Sequence, residues 1–323
     1  MTKELRSRLI RLIQEHADAP WEEALPDLPA DFEALLLPAA THAQEEERRI
    51  RGVKTVIFDI YGTLFSSSAG DIAVHTGYAG GSFEGLLAPD LPGGLTGEEL
   101  KDFFRRSVMN SHIEKYVHTP YPEVRVEEIW ATFLTEHLKR ETNDDSGEGC
   151  GHHHGKEETD PAVAAELALR YELAVNPVYP MEGVRETLKL LSARGFHLGL
   201  ISNAQFYTPL LFEAFFGASV EELGFDPELV SYSYELGEAK PSPSLFAPAL
   251  RRLAALGQGP ETCLYVGNDM LNDIFAAAAS GFKTLLFAGD RRSLRLREGN
   301  KLCGNTRPSG VIRRLAVIPE ILA

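Results

Sequence analysis

The sequence predicts an α/β protein: a Rossmann-like parallel sheet covered by helices on both faces, with an α-helical cap inserted after its first strand. Three observations predict it. From residue 50 onward, short stretches rich in apolar and β-branched residues alternate with helical ones, the pattern of parallel strands joined by crossover helices. Helical stretches close on Gly217, Gly257 and Gly281, where a left-handed C-terminal cap favours glycine. The span from roughly 66 to 176 is too long for a loop in a compact domain and is rich in helical material.

The elements follow in order. Residues 1–50 open with MTKELRSRLIRLIQEH, charged and apolar at helical spacing, pass through a proline-punctuated middle, and are expected to form a helical extension. The core comprises 51–66 and 177–323. Its first strand, 53–59, lies in the stretch VKTVIFDIYGTLF and runs into Asp59, after which Tyr61-Gly62-Thr63 turns the chain. The cap, 67–176, holds helical stretches at 98–117, 126–141 and 162–175, with Trp130 and Phe133 at core spacing. Between them lie the turn-rich GSFEGLLAPDLPGGLTG and the polar NDDSGEGCGHHHGKEETD. Four more strands follow at 197–203, 229–236, 263–268 and 283–288, making five.

Composition narrows the class. With 44% hydrophobic and 24% charged residues among 323, the chain reads as an ordinary globular protein. A net charge of −15 argues against a nucleic-acid partner, which needs a basic face. The N-terminus lacks the continuous apolar stretch of a secretion signal, and no run approaches membrane-span length. Cys150, Cys263 and Cys303 are too few and scattered for a disulfide framework. A cytoplasmic monomer or homodimer acting on a small, anionic molecule is expected.

In an open parallel sheet, function collects at the carboxyl ends of the strands. Four such ends carry polar residues: Asp59 to Thr63, then Ser202-Asn203, then Lys240 ahead of a proline-containing helix start, then Asn268-Asp269 with Asn272-Asp273. Singly, each has a bland role as a helix cap or surface lysine. Together, and in this order, they resemble the haloacid dehalogenase superfamily over about 53–65 and 178–318. The resemblance implies that Asp59 is a nucleophile forming a covalent aspartyl intermediate and that Thr63 belongs to the same motif. It also implies that Ser202 holds a substrate oxygen, with Asn203 beside it, and that Lys240 balances the charge around the nucleophile. Asp269, with Asn268, matches the magnesium-binding acid, and Asp273 its supporting carboxylate. A carboxylate attacking a phosphate needs nearby cations, and Mg2+ takes carboxylates, waters and carbonyls, so Asp59, Asp269 and the Tyr61 backbone carbonyl form a plausible ligand set.

Two motifs point to different reactions. Phosphatases of the superfamily usually carry a second aspartate where this chain has Tyr61, and a phenol is a feeble base at neutral pH. Asp-x-Tyr-Gly-Thr looks instead like the 2-haloacid dehalogenases, whose halide leaving group needs no proton. Those enzymes work without a metal and carry a tyrosine shortly after the lysine, where this chain has Phe246. The acids Asp269 and Asp273 favour a magnesium-dependent phosphomonoesterase. A dehalogenase-type hydrolase is the runner-up, and a catalytically weak binding or assembly protein is the third reading.

Other features carry less. Cys150 and His152-His153-His154 have zinc-ligand chemistry but lack the spacing of a closed site, so a solvated loop is expected. AGDRRSLRLRE, 288–298, reads as a solvated loop pairing with the chain's own carboxylates, or as a place where Arg291 or Arg292 holds a distal anionic group of the substrate. Arg105 and Arg106 in the cap are weaker candidates for that task.

Overall fold

The structure is a computed structural model and describes residues 1–17, 25–37, 49–67, 96–144 and 160–322, with the side chains of 137–144 left out. Its centre is a six-stranded, all-parallel sheet of order β3-β2-β1-β4-β5-β6. The strands are β1 (Thr55–Phe58), β2 (His197–Ser202), β3 (Phe225–Tyr232), β4 (Cys263–Gly267), β5 (Lys283–Phe287) and β6 (Gly310–Ile312). β1 is fully buried and alternates its side chains between two cores: Val56 and Phe58 on one face, Ile57 on the other with Ile201 and Tyr265. The order reverses direction between β1 and β4, so their carboxyl ends border the crevice where ligands bind in such sheets.

β3 differs most from expectation, the other four expected strands falling within two residues of their bounds, and one strand is added. β3 begins earlier, at Phe225, and ends at Tyr232, because Ser233–Leu236 winds into a helical turn closed by Gly237 at φ 72°. The sixth strand, β6, has three residues, too few to show as a sequence run. It gains partners from outside the core: Leu37 and Leu35 exchange backbone hydrogen bonds with Val311.

The N-terminal region is sewn into the rest. α1 (Lys3–Glu15) is capped by Thr2 and buries Leu9, Leu12 and Ile13, while α2 (Ala30–Glu33) is one turn that buries Phe32. The insert supplies α3 (Gly97–Lys115), started by a reciprocal Thr96/Glu99 capping box, α4 (Val126–Asp144), and α5 (Pro161–Val175), capped by Asp160 with proline in the first turn. Their core is aromatic: Phe104 stacks on Trp130 at 5.7 Å, and Tyr171 and Phe133 close around the indole. α6 (Val184–Ala193) and α7 (Thr208–Phe216) follow on the sheet. α1 straddles the junction, with Arg6 pairing to Glu213 of α7 and Arg8 to Glu166 of α5 at 2.5 Å. Cys263 and Cys303 are buried free thiols; Cys150, the His152–His154 tract and most of the 81–97 stretch lie outside the described residues. Among the described residues no helix is long and apolar enough to cross a membrane.

Gly199 lies where the β2–β3 register slips between Leu198 and Leu200. A Cβ there would sit 2.7 Å from the Leu229 carbonyl oxygen, which is backbone and cannot swing aside. Gly199→Ala is expected to lower stability by about 1–3 kcal/mol, the usual cost of forced overpacking, read as a drop in the urea midpoint with an unchanged slope.

Candidate active site

Asp59 stands one residue past β1, its amide anchored to the Val266 carbonyl of β4 at 2.9 Å, so the strand pair fixes where its carboxylate points. It is 5% exposed. Its Oδ1 accepts from Ser202 Oγ at 2.8 Å and from Lys240 Nζ at 2.7 Å. Lys240 arrives from the loop after β3 and donates also to Asp273 Oδ1 at 2.5 Å and to the Tyr265 hydroxyl at 3.1 Å. Burial works against its ammonium, but the charges of Asp273 and Asp59 outweigh burial and hold its pKa above the ordinary lysine range. Asn203 Oδ1 accepts from the Lys240 backbone N–H at 2.7 Å, tying the ends of β2 and β3 together.

The loop after β4 divides its side chains. Asn268 turns towards the first motif: its Oδ1 accepts from Thr63 Oγ1 at 3.1 Å and its Nδ2 donates to the Ser293 carbonyl at 2.6 Å. Gly62, at φ 87°, has to be glycine here, since a Cβ would come within 2.4 Å of that amide. Asp273 sits inside the loop. Its Oδ2 accepts the backbone N–H groups of Asn268 and Asp269 at 3.0 and 2.9 Å, and its Oδ1 faces Lys240. Burial, then the charge of Asp59, push its carboxyl up to about 7, with Lys240 pulling the other way.

Asp269 is engaged elsewhere. It caps the wide helical turns of Met270–Phe275 by accepting from Leu271 and Asn272 N–H, and both its oxygens take hydrogen bonds from Arg297, the shortest 2.5 Å. The donor set for magnesium is therefore poor. Asp269 is neutralised by a guanidinium, Asp273 is filled by Lys240 and two amides, and the group facing Thr63 is an amide rather than an acid. Among the described residues no group of three or more His, Cys, Asp or Glu side chains converges to hold a metal ion. The expected set of Asp59, the Tyr61 carbonyl, Asn268, Asp269 and Asp273 does not fit the ion.

Tyr61 donates to or accepts from Thr208 Oγ1 at 2.9 Å at the start of α7. Burial first, then the charge of Glu172, raise its pKa far above the ordinary phenol value, so it cannot act as a base. Of the other sequence candidates, Arg291 is exposed, Arg292 turns to Asp290, Arg105 pairs with Asp102, and Arg106 is exposed on α3. None is seen to join Asp59.

Three participants were not foreseen. Tyr265, on β4, donates to the Ile201 carbonyl at 2.7 Å and reaches Lys240. It brings a hydroxyl to the lysine from another element, while Phe246 packs against its ring at 5.7 Å. A phenol inside a buried strand needs a polar partner, and that was the available signal. Glu172 of α5 hydrogen-bonds Tyr207 and Asn176, and burial raises its pKa. Arg297 was hidden among four arginines of one loop.

A family model described as haloacid dehalogenase-like hydrolase matches residues 53–281. No match is found among curated protein sequences. Among solved structures, a 2-haloacid dehalogenase from Pseudomonas syringae pv. Tomato is 21% identical with a TM-score of 0.51, covering 83% of this chain and 97% of that one. A phosphatase of the same superfamily from Thermococcus onnurineus is 18% identical at 0.46, covering 83% and 97%, and an L-2-haloacid dehalogenase from Xanthobacter autotrophicus is 18% identical at 0.45, covering 83% and 98%. The first of these likenesses is one of fold.

Lys240 is the cation on which two buried carboxylates depend. Lys240→Met is expected to destabilise the protein by about 3–5 kcal/mol, the usual cost of orphaning a buried ion pair. The loss should be larger at pH 8 than at pH 5. Without the ammonium the folded state holds carboxyl protons that the unfolded chain releases near its ordinary pKa, so stability falls as pH rises. Thermal melts of both proteins at the two pH values measure this.

Proposed function

The chain belongs to the haloacid dehalogenase-like hydrolases, and from that premise we propose that it is a metal-independent hydrolase that uses Asp59 as nucleophile. Its substrate is a small carboxylic acid bearing a leaving group that needs no proton, as in carbon–halogen hydrolysis. One observation carries this choice over the magnesium-dependent phosphomonoesterase that the acidic fourth motif suggests. Asp59 is held by Ser202 and Lys240, while Asp269 already has its positive partner in Arg297.

In this reading Lys240 and Ser202 fix Oδ1, and Oδ2 attacks the carbon that bears the halogen. The carbon–halogen bond breaks with its electron pair, halide departs as an anion, and an ester joins Asp59 to the substrate. Water then adds to that ester carbonyl, the hydroxy acid leaves with Asp59 regenerated, and the proton that the water gives up passes to solvent. Asn203, beside Ser202, is the candidate to hold the substrate carboxylate. Tyr61 serves as a wall of fixed shape, its hydroxyl kept protonated by burial and tied to Thr208.

Chloride release from 2-chloropropionate, undiminished by chelator and abolished in Asp59→Asn, is the expected result. In a single turnover in heavy-oxygen water, the product hydroxyl should carry ordinary oxygen drawn from Asp59. Tyr61→Phe should cost less than tenfold, whereas loss of a working acid or base costs about 10²-fold or more. Hydrolysis of an aryl phosphate that chelator abolishes and magnesium restores would establish the phosphomonoesterase instead. Turnover in neither assay would leave a binding role.

A further inference from the structure

We propose that Arg297 is a built-in cation of this site: its guanidinium stands against Asp269 and positions the loop that carries Asn268 and Asp273. The inference deepens the metal-independent reading above and rests on it for the choice of assay. It comes from how the arginine-rich loop is attached. The segment after β5 returns to the loop after β4 and pairs with it in parallel, Arg295 N–H donating to the Asn268 carbonyl at 3.0 Å and Met270 N–H to the Arg295 carbonyl at 2.9 Å. Two residues on, Arg297 takes φ 53°, a left-handed backbone that a side chain occupies only when its surroundings impose it. That turn delivers the guanidinium to both oxygens of Asp269, with Nε at 3.1 and 3.0 Å and the terminal nitrogen at 2.5 Å.

The attachment has consequences on both sides of Asp269. On one side, the Asp269 amide is one of the two that hold Asp273, and the Asn268 carbonyl is fixed by the same returning segment. On the other, Asp269 oxygens that already face a planar cation and two helix amides have no room for an octahedral ion. Three carboxylates, Asp59, Asp269 and Asp273, pair with two cations, Lys240 and Arg297. Arg297 therefore does for Asp269 what a divalent ion would otherwise do, in a geometry that only a guanidinium satisfies. Arg297 is a positioning residue, acting on Asn268 and Asp273 through Asp269.

The test uses the full-length protein, Arg297→Ala, Arg297→Lys and Asp269→Asn, and three probes. Titrated with Mn2+ and followed by electron paramagnetic resonance, the wild type should bind no stoichiometric ion. Arg297→Ala should lose about 10- to 100-fold in kcat for chloride release with KM nearly unchanged, the scale expected of misplaced catalytic groups. Millimolar methylguanidine should restore it, magnesium should not, and Arg297→Lys, a point charge, should recover only part. Restoration by magnesium, wild-type Mn2+ binding that disappears in Asp269→Asn, or an Arg297→Ala protein as active as wild type would each overturn the proposal. If the wild type releases no chloride, the reaction assignment fails separately. The Mn2+ titration and a methylguanidine-dependent rise in the melting temperature of Arg297→Ala then still decide the role of Arg297.

Discussion

A single buried ammonium constrains this structure. Lys240 touches Asp59 and Asp273 at once, and all three are nearly inaccessible to solvent. At about 2.7 Å and an effective dielectric of 20, each contact is worth roughly 6 kcal/mol of attraction, comparable with the several kcal/mol needed to desolvate each ion. Such a cluster persists only if most of the remaining hydrogen-bonding positions are filled. Ser202, Tyr265 and the amides of Asn268 and Asp269 do that filling, so the ends of β1, β2, β4 and the loop after β3 must converge. Gly267 records the tightness, since a Cβ there would lie 2.4 Å from the Asp273 side chain.

The same electrostatics explain how the two conflicting motifs coexist. Tyr61 removes one acid from the first motif, and Asn268 presents an amide where the fourth motif meets it. Asp269, one residue on, looks like the missing acid in sequence, but it faces the other way and is answered by an arginine. The raised affinity of Asp273 for a proton comes first from burial and then from the charge of Asp59, with Lys240 drawing the other way.

Much of this was legible in the sequence. The strands read cleanly because each is an apolar run buried on both faces, and Asp59, Ser202 and Lys240 stood out because polar groups at strand ends are costly without a task. β6 was invisible because three residues make no pattern and its other neighbour is Leu35–Leu37, remote in sequence. The early start of β3 runs through Asp226-Pro227, residue types that are scarce in strands. Which of Asn268 and Asp269 turns inward depends on the backbone at one residue, and neither spacing nor residue type reports that. Arg297 escaped for a related reason: four arginines share the loop, and only its pairing with the Asn268–Met270 segment selects which one arrives.

The N-terminal helix bridges the insert and the sheet domain. The two ends of the insert run side by side, Ser67 Oγ donating to Asn176 Oδ1 at 3.1 Å. α1 lies across the gap with one arginine on each bank, Arg6 on α7 and Arg8 on α5, both partly exposed. A swing wide enough to part α5 from α7 must break one of those pairs or carry α1 along. Dissolved salt weakens exposed pairs far more than buried ones. The ion pairs around Lys240 are thus shielded from ionic strength, while those that hold α1 to α5 and α7 are not.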